Sequence, residues 1–334
     1  MLAAAALATD ADDPLRCLHV GAWAPPTVDD DDWTTISVVA AALNHHDLWT
    51  LRGAVPAKQR LPIVLGSDAA GIDDDGNEVI VYPVIGDRAA GNGDETLDPD
   101  RSVLSEVFDG TLAERLAVPR RNLVPKPPSM SFEEAACLPS AWLTAYRMLF
   151  ERVSLASGDI VLVQGAGGGV STALIVLGSA AGYRMWVTSR TEQRRQAAEK
   201  LGAETTFAPG ARLPQRVDAV MDTVGAATWS HSMRSVRDGG RIVVSGATSG
   251  ALPPAELTHV FYRQVSIVGS TLGTRDQLSE LSHFCVAHGI TPVIDRVLPL
   301  TRAHAGFAAL AAGSVFGKIV IAVPGTAAEH ADRS

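Results

Sequence analysis

An apolar run, Ile160-Val161-Leu162-Val163-Gln164, leads straight into Gly165-Ala166-Gly167-Gly168-Gly169 and then into helix-forming residues from about Val170. Few folds use that order. A buried strand that ends at a glycine cluster and turns at once into a helix brings free backbone N–H groups and a positive helix end to one point. A pyrophosphate is stabilised there. The strict G-x-G-x-x-G spacing is absent: its positions fall on Ala166, Gly168 and Ser171, so a small hydroxyl residue replaces the third glycine. Taken by itself, the cluster also reads as an ordinary tight turn.

Its surroundings favour the nucleotide site. Strand-like runs at Arg184 to Thr188, Ala219 to Asp222, Arg241 to Ser245 and Val265 to Gly269 alternate with helical segments. That alternation predicts an α/β fold with a doubly wound parallel sheet. The preceding part is β-rich, with runs at Arg16 to Val20, Thr34 to Ala42, Glu78 to Pro83 and Leu112 to Pro119. Ser131-Phe132-Glu133-Glu134 is a capping box that opens a helix reaching Leu149. After Gly289 come a strand from Val293 to Leu298, an Ala-rich helix near Ala303 to Ala312, and a strand from Lys318 to Val323. A chain of 334 residues suffices for two domains. They are expected at 1–126 completed by 290–334, and at 127–289.

The net charge of −9 provides no long-range attraction to nucleic acid or anionic membranes. Met1 to Ala8 is apolar but lacks a basic start and meets Asp10, Asp12 and Asp13, so it reads as a frayed tail and not a secretory signal. A cytoplasmic protein is expected. Cys17, Cys137 and Cys285 have neither disulfide nor zinc spacing and read as small core residues.

At the end of the second strand of this half, where an NAD site carries an acid for the ribose hydroxyls, stand Ser189 and Arg190, with Arg194 one helical turn on. A hydroxyl and two guanidinium groups suit a 2′-phosphate, which points to NADPH. The alternative is a solvated helix face in which Arg190, Arg194 and Arg195 pair with Glu192 and Glu199.

Ordered motifs extend the pattern: Ala42-Leu43-Asn44-His45-His46-Asp47-Leu48-Trp49, Leu65-Gly66-Ser67-Asp68-Ala69-Ala70-Gly71, Asp109-Gly110-Thr111-Leu112-Ala113-Glu114, Leu138-Pro139, Thr144-Ala145-Tyr146, Leu201-Gly202-Ala203-Glu204 and Phe316-Gly317-Lys318-Ile319-Val320. With the glycine turn, they resemble the medium-chain dehydrogenase/reductase superfamily, nearest its zinc-free, quinone oxidoreductase-like branch. The resemblance implies a GroES-like β-barrel catalytic domain interrupted by a Rossmann domain. Where zinc members place two Cys, a His and a Glu, the matching positions are Asn44, Ser140, Ser67 and Asp68, a poor set for zinc. The structural zinc lobe matches Gly86 to Asp100, which contains no Cys.

Without a metal to polarise an alcohol, hydride transfer to a conjugated system is favoured. The expected substrate is a quinone or an enone. Among site residues, the resemblance puts Asn44 near the nicotinamide ribose. His46 falls where zinc enzymes relay a proton, and a buried structural histidine is the competing reading. Trp49 walls the pocket, in a segment where some relatives have a Tyr. Asp68 orients His46 or caps a turn, and His45 points away if the segment is extended. Ser67 and Ser140 line the substrate pocket, while Thr144, Gly246, Thr248 and Phe316 border the cofactor. Lys318 either touches the cofactor or lies on the surface. Val265 to Gly269, as an outer strand, invites pairing into a homodimer. Two rival functions are a catalytically silent NADPH-binding protein and a non-redox cyclase.

Overall fold

The computed structural model describes residues 1–54 and 60–323 and divides the chain into two compact units. One is Met1–Ser140 with Thr274–Ser334, and the other is Ala141–Gly273. This partition differs from the expected one at 126/127 and 289/290. Helix Arg275–Ala287 belongs with the first unit because the Arg275 N–H donates to Glu95 Oε1 at 2.6 Å and its guanidinium to the Leu123 carbonyl at 2.8 Å.

The first unit is the GroES-like domain. Strand Trp33–Ala42 lies at the centre of its main sheet, between strands Asp68–Asp73 and Lys318–Ala322, and alternates buried and half-buried residues until its last turns become wholly buried. Period-two alternation puts Ile36, Val38 and Ala40 inside, and the core gathers around them with Leu65, Leu116, Phe307 and Ile321. The expected frayed tail is instead strand Leu2–Ala6, which pairs with Leu18–Ala22 on one side and Ile63–Val64 on the other. An alanine run has weak strand propensity, so neighbours on both edges, and not local preference, create this strand.

The second unit is a Rossmann domain. Among the described residues its sheet has six parallel strands, in the spatial order Thr205–Phe207, Arg184–Thr188, Ile160–Gln164, Val217–Asp222, Val236–Val244 and Ser266–Gly269. In chain order that is 3-2-1-4-5-6, the doubly wound arrangement of dinucleotide-binding sheets. Every residue of Ile160–Gln164 is buried, as a central strand covered on both faces requires. In the ladder, Gln164 stands beside Thr188 and Asp222, and Asp222 beside Val244. Four strands thus end together, and the loops leaving them share one edge. Cys17, Cys137 and Cys285 are buried free thiols, as expected. Among the described residues, no helix is long and apolar enough to cross a membrane.

Candidate functional site

Each unit carries a buried polar cluster at the end of a central strand. In the first, the chain leaves the central strand at Ala42 and enters helix His45–Arg52, with Asn44 as its N-cap. Asp47 fixes that start: its Oδ2 accepts from the Asn44 N–H at 2.8 Å, and its Oδ1 reaches the Gly66 N–H at 3.0 Å. One buried carboxylate therefore locks Asn44 to the turn that carries Ser67 and Asp68. Burial pushes the Asp47 carboxyl up to about 6, against the lowering effect of the Asn44 N–H.

Around this clamp the four positions named from the sequence come together. Asn44 Nδ2 donates to Ser67 Oγ at 3.3 Å, and Ser67 Oγ lies 3.1 Å from Ser140 Oγ. Ser140 sits in a five-residue π turn, Leu138–Trp142. Asp68 pairs with Lys318 at 2.9 Å, with side chains 0% and 2% exposed. The Lys318 ammonium also donates to the Leu43 carbonyl at 2.9 Å and to Asn44 Oδ1 at 2.6 Å. The surface position entertained for Lys318 is thus corrected: the Gly317 φ of +102° turns the chain against Val293, and the new strand starts with the lysine inside. Removing one partner of such a pair would strand a buried charge, at a cost of about 3–5 kcal/mol.

These donors do not fit the zinc ion that the fold family implies. Zinc takes thiolate, imidazole and carboxylate ligands, and the position offers an amide, two hydroxyls and a carboxylate already bound to an ammonium. Asp68 Oδ1 is buried and unpartnered, but one carboxylate oxygen is not a zinc site. Burial pushes the nearby Cys137 thiol up to about 12, and the thiol donates to the Glu133 carbonyl at 3.2 Å. The loop at Gly86 to Asp100 is closed by carboxylates accepting N–H groups: Asp98 from Asp87 at 2.7 Å and from Asp100 at 2.9 Å, and Asp94 from Thr96 at 3.0 Å.

His46 is held by a different carboxylate from Asp68. Its Nε2 is 3.1 Å from Glu106 Oε1, and Glu106 Oε2 accepts from the Val103 N–H at 2.9 Å. The idea that Asp68 orients His46 is therefore corrected: Glu106 holds the ring. Burial alone would lower the His46 pKa, but the Glu106 hydrogen bond and the charges of Asp47 and Glu106 outweigh it and raise the value. The segment is helical and not extended, because Asn44 and Asp47 cap its start and Gly53 ends it at φ +70°. His45 is exposed on the first turn, 6.5 Å ring to ring from half-buried Trp49. The Phe316 N–H donates to Asp295 Oδ1 at 2.9 Å.

In the second unit the glycine turn is built from behind. The Gly165 N–H donates to Thr188 Oγ1 at 3.3 Å, and the Thr188 hydroxyl donates to Gln164 Oε1 at 2.8 Å. Gln164 Nε2 reaches His231 Nδ1 at 2.9 Å and Ser232 Oγ at 3.0 Å, and Ser232 donates to Asp222 Oδ2 at 2.7 Å. His231 Nε2 lies 2.8 Å from the Ala211 carbonyl, which needs a donor, so Nε2 donates there and Nδ1 faces Gln164. Asp222 also accepts from the Val224 and Gly225 N–H groups at 2.9 and 3.0 Å. One buried network thus ties together three strand ends. The sequence reading missed it, although a Gln closing an otherwise apolar strand was the available signal.

On the outer side, Gly165 takes φ +92°, and the helix begins at Gly169 with Ser171 Oγ accepting from the Gly168 N–H at 3.0 Å. Ala166 and Gly167 are buried, whereas Gly168 is exposed, with Gly169 and Val170 half-buried beside it. A Cβ on Gly167 would lie 3.1 Å from the Arg194 guanidinium carbon. Arg195 pairs with Glu192, as the helix-face alternative has it, and donates to the Ser189 carbonyl at 2.9 Å. Ser189 is buried and Arg190 exposed at the same strand end. Gly246 has no room for a Cβ beside the Thr223 carbonyl, and the Thr248 hydroxyl reaches that oxygen at 3.5 Å. Thr144 is buried in helix Leu143–Phe150. The chemistry of this edge suits a dinucleotide: glycines would admit phosphates, and a helix N-terminus would favour their charge.

Comparisons with known proteins agree with this architecture. The family described as alcohol dehydrogenase GroES-like domain matches residues 30–128, and the zinc-binding dehydrogenase family matches residues 169–287. The chain belongs to the medium-chain dehydrogenase/reductase superfamily of oxidoreductases. It is 30% identical to a 2-methylene-furan-3-one reductase of Solanum lycopersicum over 303 residues, covering 87% of this chain and 72% of the relative. It is 26% identical to an acryloyl-coenzyme A reductase of Sulfurisphaera tokodaii, covering 87% and 92%. A solved NAD-dependent alcohol dehydrogenase superposes with a TM-score of 0.89 at 34% identity, covering 97% of this chain and all of that one.

Proposed function

We propose that the protein is an NADPH-dependent, zinc-independent reductase that transfers hydride to an α,β-unsaturated carbonyl or a quinone. The observation that carries this reading is the Lys318–Asp68 ion pair, joined to Asn44, Ser67 and Ser140, at the position where the fold family keeps its metal. With no ligand set to polarise an alcohol, a conjugated acceptor is the better substrate, because negative charge arriving with the hydride spreads onto a carbonyl oxygen that hydrogen bonds can hold. The names of the tomato and archaeal relatives both specify a carbon–carbon double bond conjugated to a carbonyl.

NADPH, when bound, supplies the hydride. The turn from Gly165 to Val170 would hold the pyrophosphate, and Ser189, Arg190 and Arg194 the 2′-phosphate. In the second unit Thr144, Gly246 and Thr248 would border the nicotinamide half; in the first, Phe316 is assigned to the cofactor and Trp49 to the substrate. With hydride supplied to the β-carbon of the enone, the electron pair would move to the carbonyl oxygen, and His46 or water would give the α-carbon the proton that completes the saturated product. The same reading makes the protein a cytoplasmic enzyme of the quinone oxidoreductase-like branch that acts on small molecules and not on nucleic acid or membranes.

Stopped-flow absorbance at the nicotinamide band, with chelator-dialysed protein and a panel of enones and quinones, tests the proposal. NADPH oxidation that survives chelation is expected. Binding without oxidation would assign a silent NADPH-binding protein, product without NADPH consumption a cyclase, and stoichiometric tightly bound zinc would remove the metal-free mechanism.

A further inference from the structure

Hydrogen-bond arithmetic in the first unit leaves one donor unassigned. The Lys318 ammonium has three hydrogens and three acceptors: the Leu43 carbonyl at 2.9 Å, Asn44 Oδ1 at 2.6 Å and Asp68 Oδ2 at 2.9 Å. Because Asn44 Oδ1 faces an ammonium, its amide has one orientation, with Nδ2 towards Ser67 Oγ at 3.3 Å. Ser67 therefore accepts from Asn44. Its own hydrogen has a single acceptor among the described residues, Ser140 Oγ at 3.1 Å. Were Ser140 the donor in that pair, the hydrogen of Ser67, a residue only 2% exposed, would be buried without an acceptor. The chain of donors runs one way, from Lys318 through Asn44 and Ser67 to Ser140. The Ser140 hydroxyl hydrogen, at its far end, has no acceptor among the described residues.

We infer that this chain replaces the metal as the electrophile of the reaction, with the Ser140 hydroxyl donating to the substrate carbonyl oxygen and Lys318 acting as a positioning residue that sets the direction of every donor behind it. The inference rests on the reductase reading and adds to it the group that receives the developing charge. A cation at one end strengthens each successive donor, so the terminal hydroxyl is a better donor than an isolated serine. Atoms balance with the proton source already named: the hydrogen bond stabilises the enolate oxygen while hydride arrives at the β-carbon, Ser140 keeps its own proton, and the α-carbon takes one from His46 or water.

The test has two readouts. The first is turnover of cyclohex-2-en-1-one and crotonyl-coenzyme A with NADPH. Ser140→Ala is expected to lower kcat by ~100-fold with NADPH affinity unchanged, the loss seen when one oxyanion donor is removed, and Ser140→Thr to restore most of it. The double variant Lys318→Met with Asp68→Asn removes both buried charges together, and it too should lose kcat and not cofactor affinity. If that variant does not fold, the Ser140 pair decides alone. The second readout is the infrared carbonyl stretch of ¹³C-labelled cyclohexenone bound with NADP⁺, which should lie lower in the parent protein than in Ser140→Ala. Unchanged kcat and an unchanged stretch in Ser140→Ala would overturn the donor chain and leave the reductase reading intact. A lowered stretch in a protein that never oxidises NADPH would overturn the reductase reading alone, and absence of both enone binding and turnover would overturn both.

Discussion

The Arg194 guanidinium lies against the Gly167 backbone, so close that a methyl group on Gly167 would sit 3.1 Å from its central carbon. A cation from the helix after the neighbouring strand is thereby placed over the glycine turn, and the exposed Arg190 and the buried Ser189 follow that strand. Charge-assisted hydrogen bonds contribute about 1.5–3 kcal/mol each, or roughly 10- to 150-fold in affinity. Arg194→Ala and Arg190→Ala should each weaken NADPH by about that factor and NADH far less, as read by fluorescence titration. Equal losses for both nucleotides would remove the assignment to NADPH, which is a live outcome because the similar solved dehydrogenase is described as NAD-dependent.

The His46–Glu106 pair makes a pH prediction whose sign follows from two opposite shifts. His46 is raised, so its contribution to stability is complete below the unfolded value near 6.5 and disappears as pH climbs through the folded one. Glu106 is lowered: burial would raise it, but hydrogen bonds from His46 and the Val103 N–H prevail. Its contribution is present above about pH 4.3 and lost on acidification. The pair is therefore strongest between about pH 4.3 and 6.5. Glu106→Gln should bring the His46 titration down in pH, followed by NMR of the imidazole protons. If His46 is the proton donor, the basic limb of kcat/KM should move down with it. A limb that stays in place while the imidazole titration moves would assign the proton to water.

Asp47 behaves in the opposite way to a surface carboxylate. Its folded value of about 6 exceeds the unfolded one near 3.9, chiefly through burial, so the folded chain holds a proton that the unfolded chain has released. Stability from this group is present below about pH 3.9 and falls as pH rises through about 6, by roughly 3 kcal/mol. Asp47→Asn removes that dependence. Asparagine also cannot accept from both the Asn44 and Gly66 N–H groups without presenting one of them with a donor. The substitution should therefore destabilise the protein, and urea unfolding should show a smaller loss at about pH 7 than at about pH 4. A loss that grows with pH would contradict the buried, charge-disfavouring environment of this carboxyl.

What the sequence disclosed was whatever repeats with a local period or sits beside a turn. The strands Ile160–Gln164 and Arg184–Thr188 were readable to the residue, because five-residue runs rich in β-branched or aromatic residues and set off by glycine or polar residues are too short for a buried helix. Asn44, Ser67, Asp68 and Ser140 were nameable as a set through the resemblance, and the fold does bring them together. Their partners were not. Lys318 is 250 residues from Asp68, and Glu106 is 60 from His46, so no window of sequence contains either pairing. The strand at Leu2–Ala6 was hidden for a related reason: five residues with no alternation acquire a conformation only from the strands on either side. Long-range pairing, not composition, determined each of these misses.

The outer strand Ser266–Gly269 is bonded to Val236–Val244 on one side only among the described residues, as expected for Val265 to Gly269. An open ladder is a liability in a monomer. The residues leading into it add apolar surface: Leu257, Phe261 and Tyr262 are 67%, 69% and 81% exposed, and Ile267, on the strand, 45%. Pairing of this edge with a second copy would satisfy the ladder and cover those side chains with one two-fold contact. On that reading, Ile267→Lys and Phe261→Asp should convert a dimer to a monomer in sedimentation velocity, with NADPH affinity unchanged because the glycine turn proposed for the pyrophosphate lies elsewhere in the sheet. A parent protein that sediments as a monomer at micromolar concentration, or variants that remain dimeric, would exclude this edge as the contact between copies.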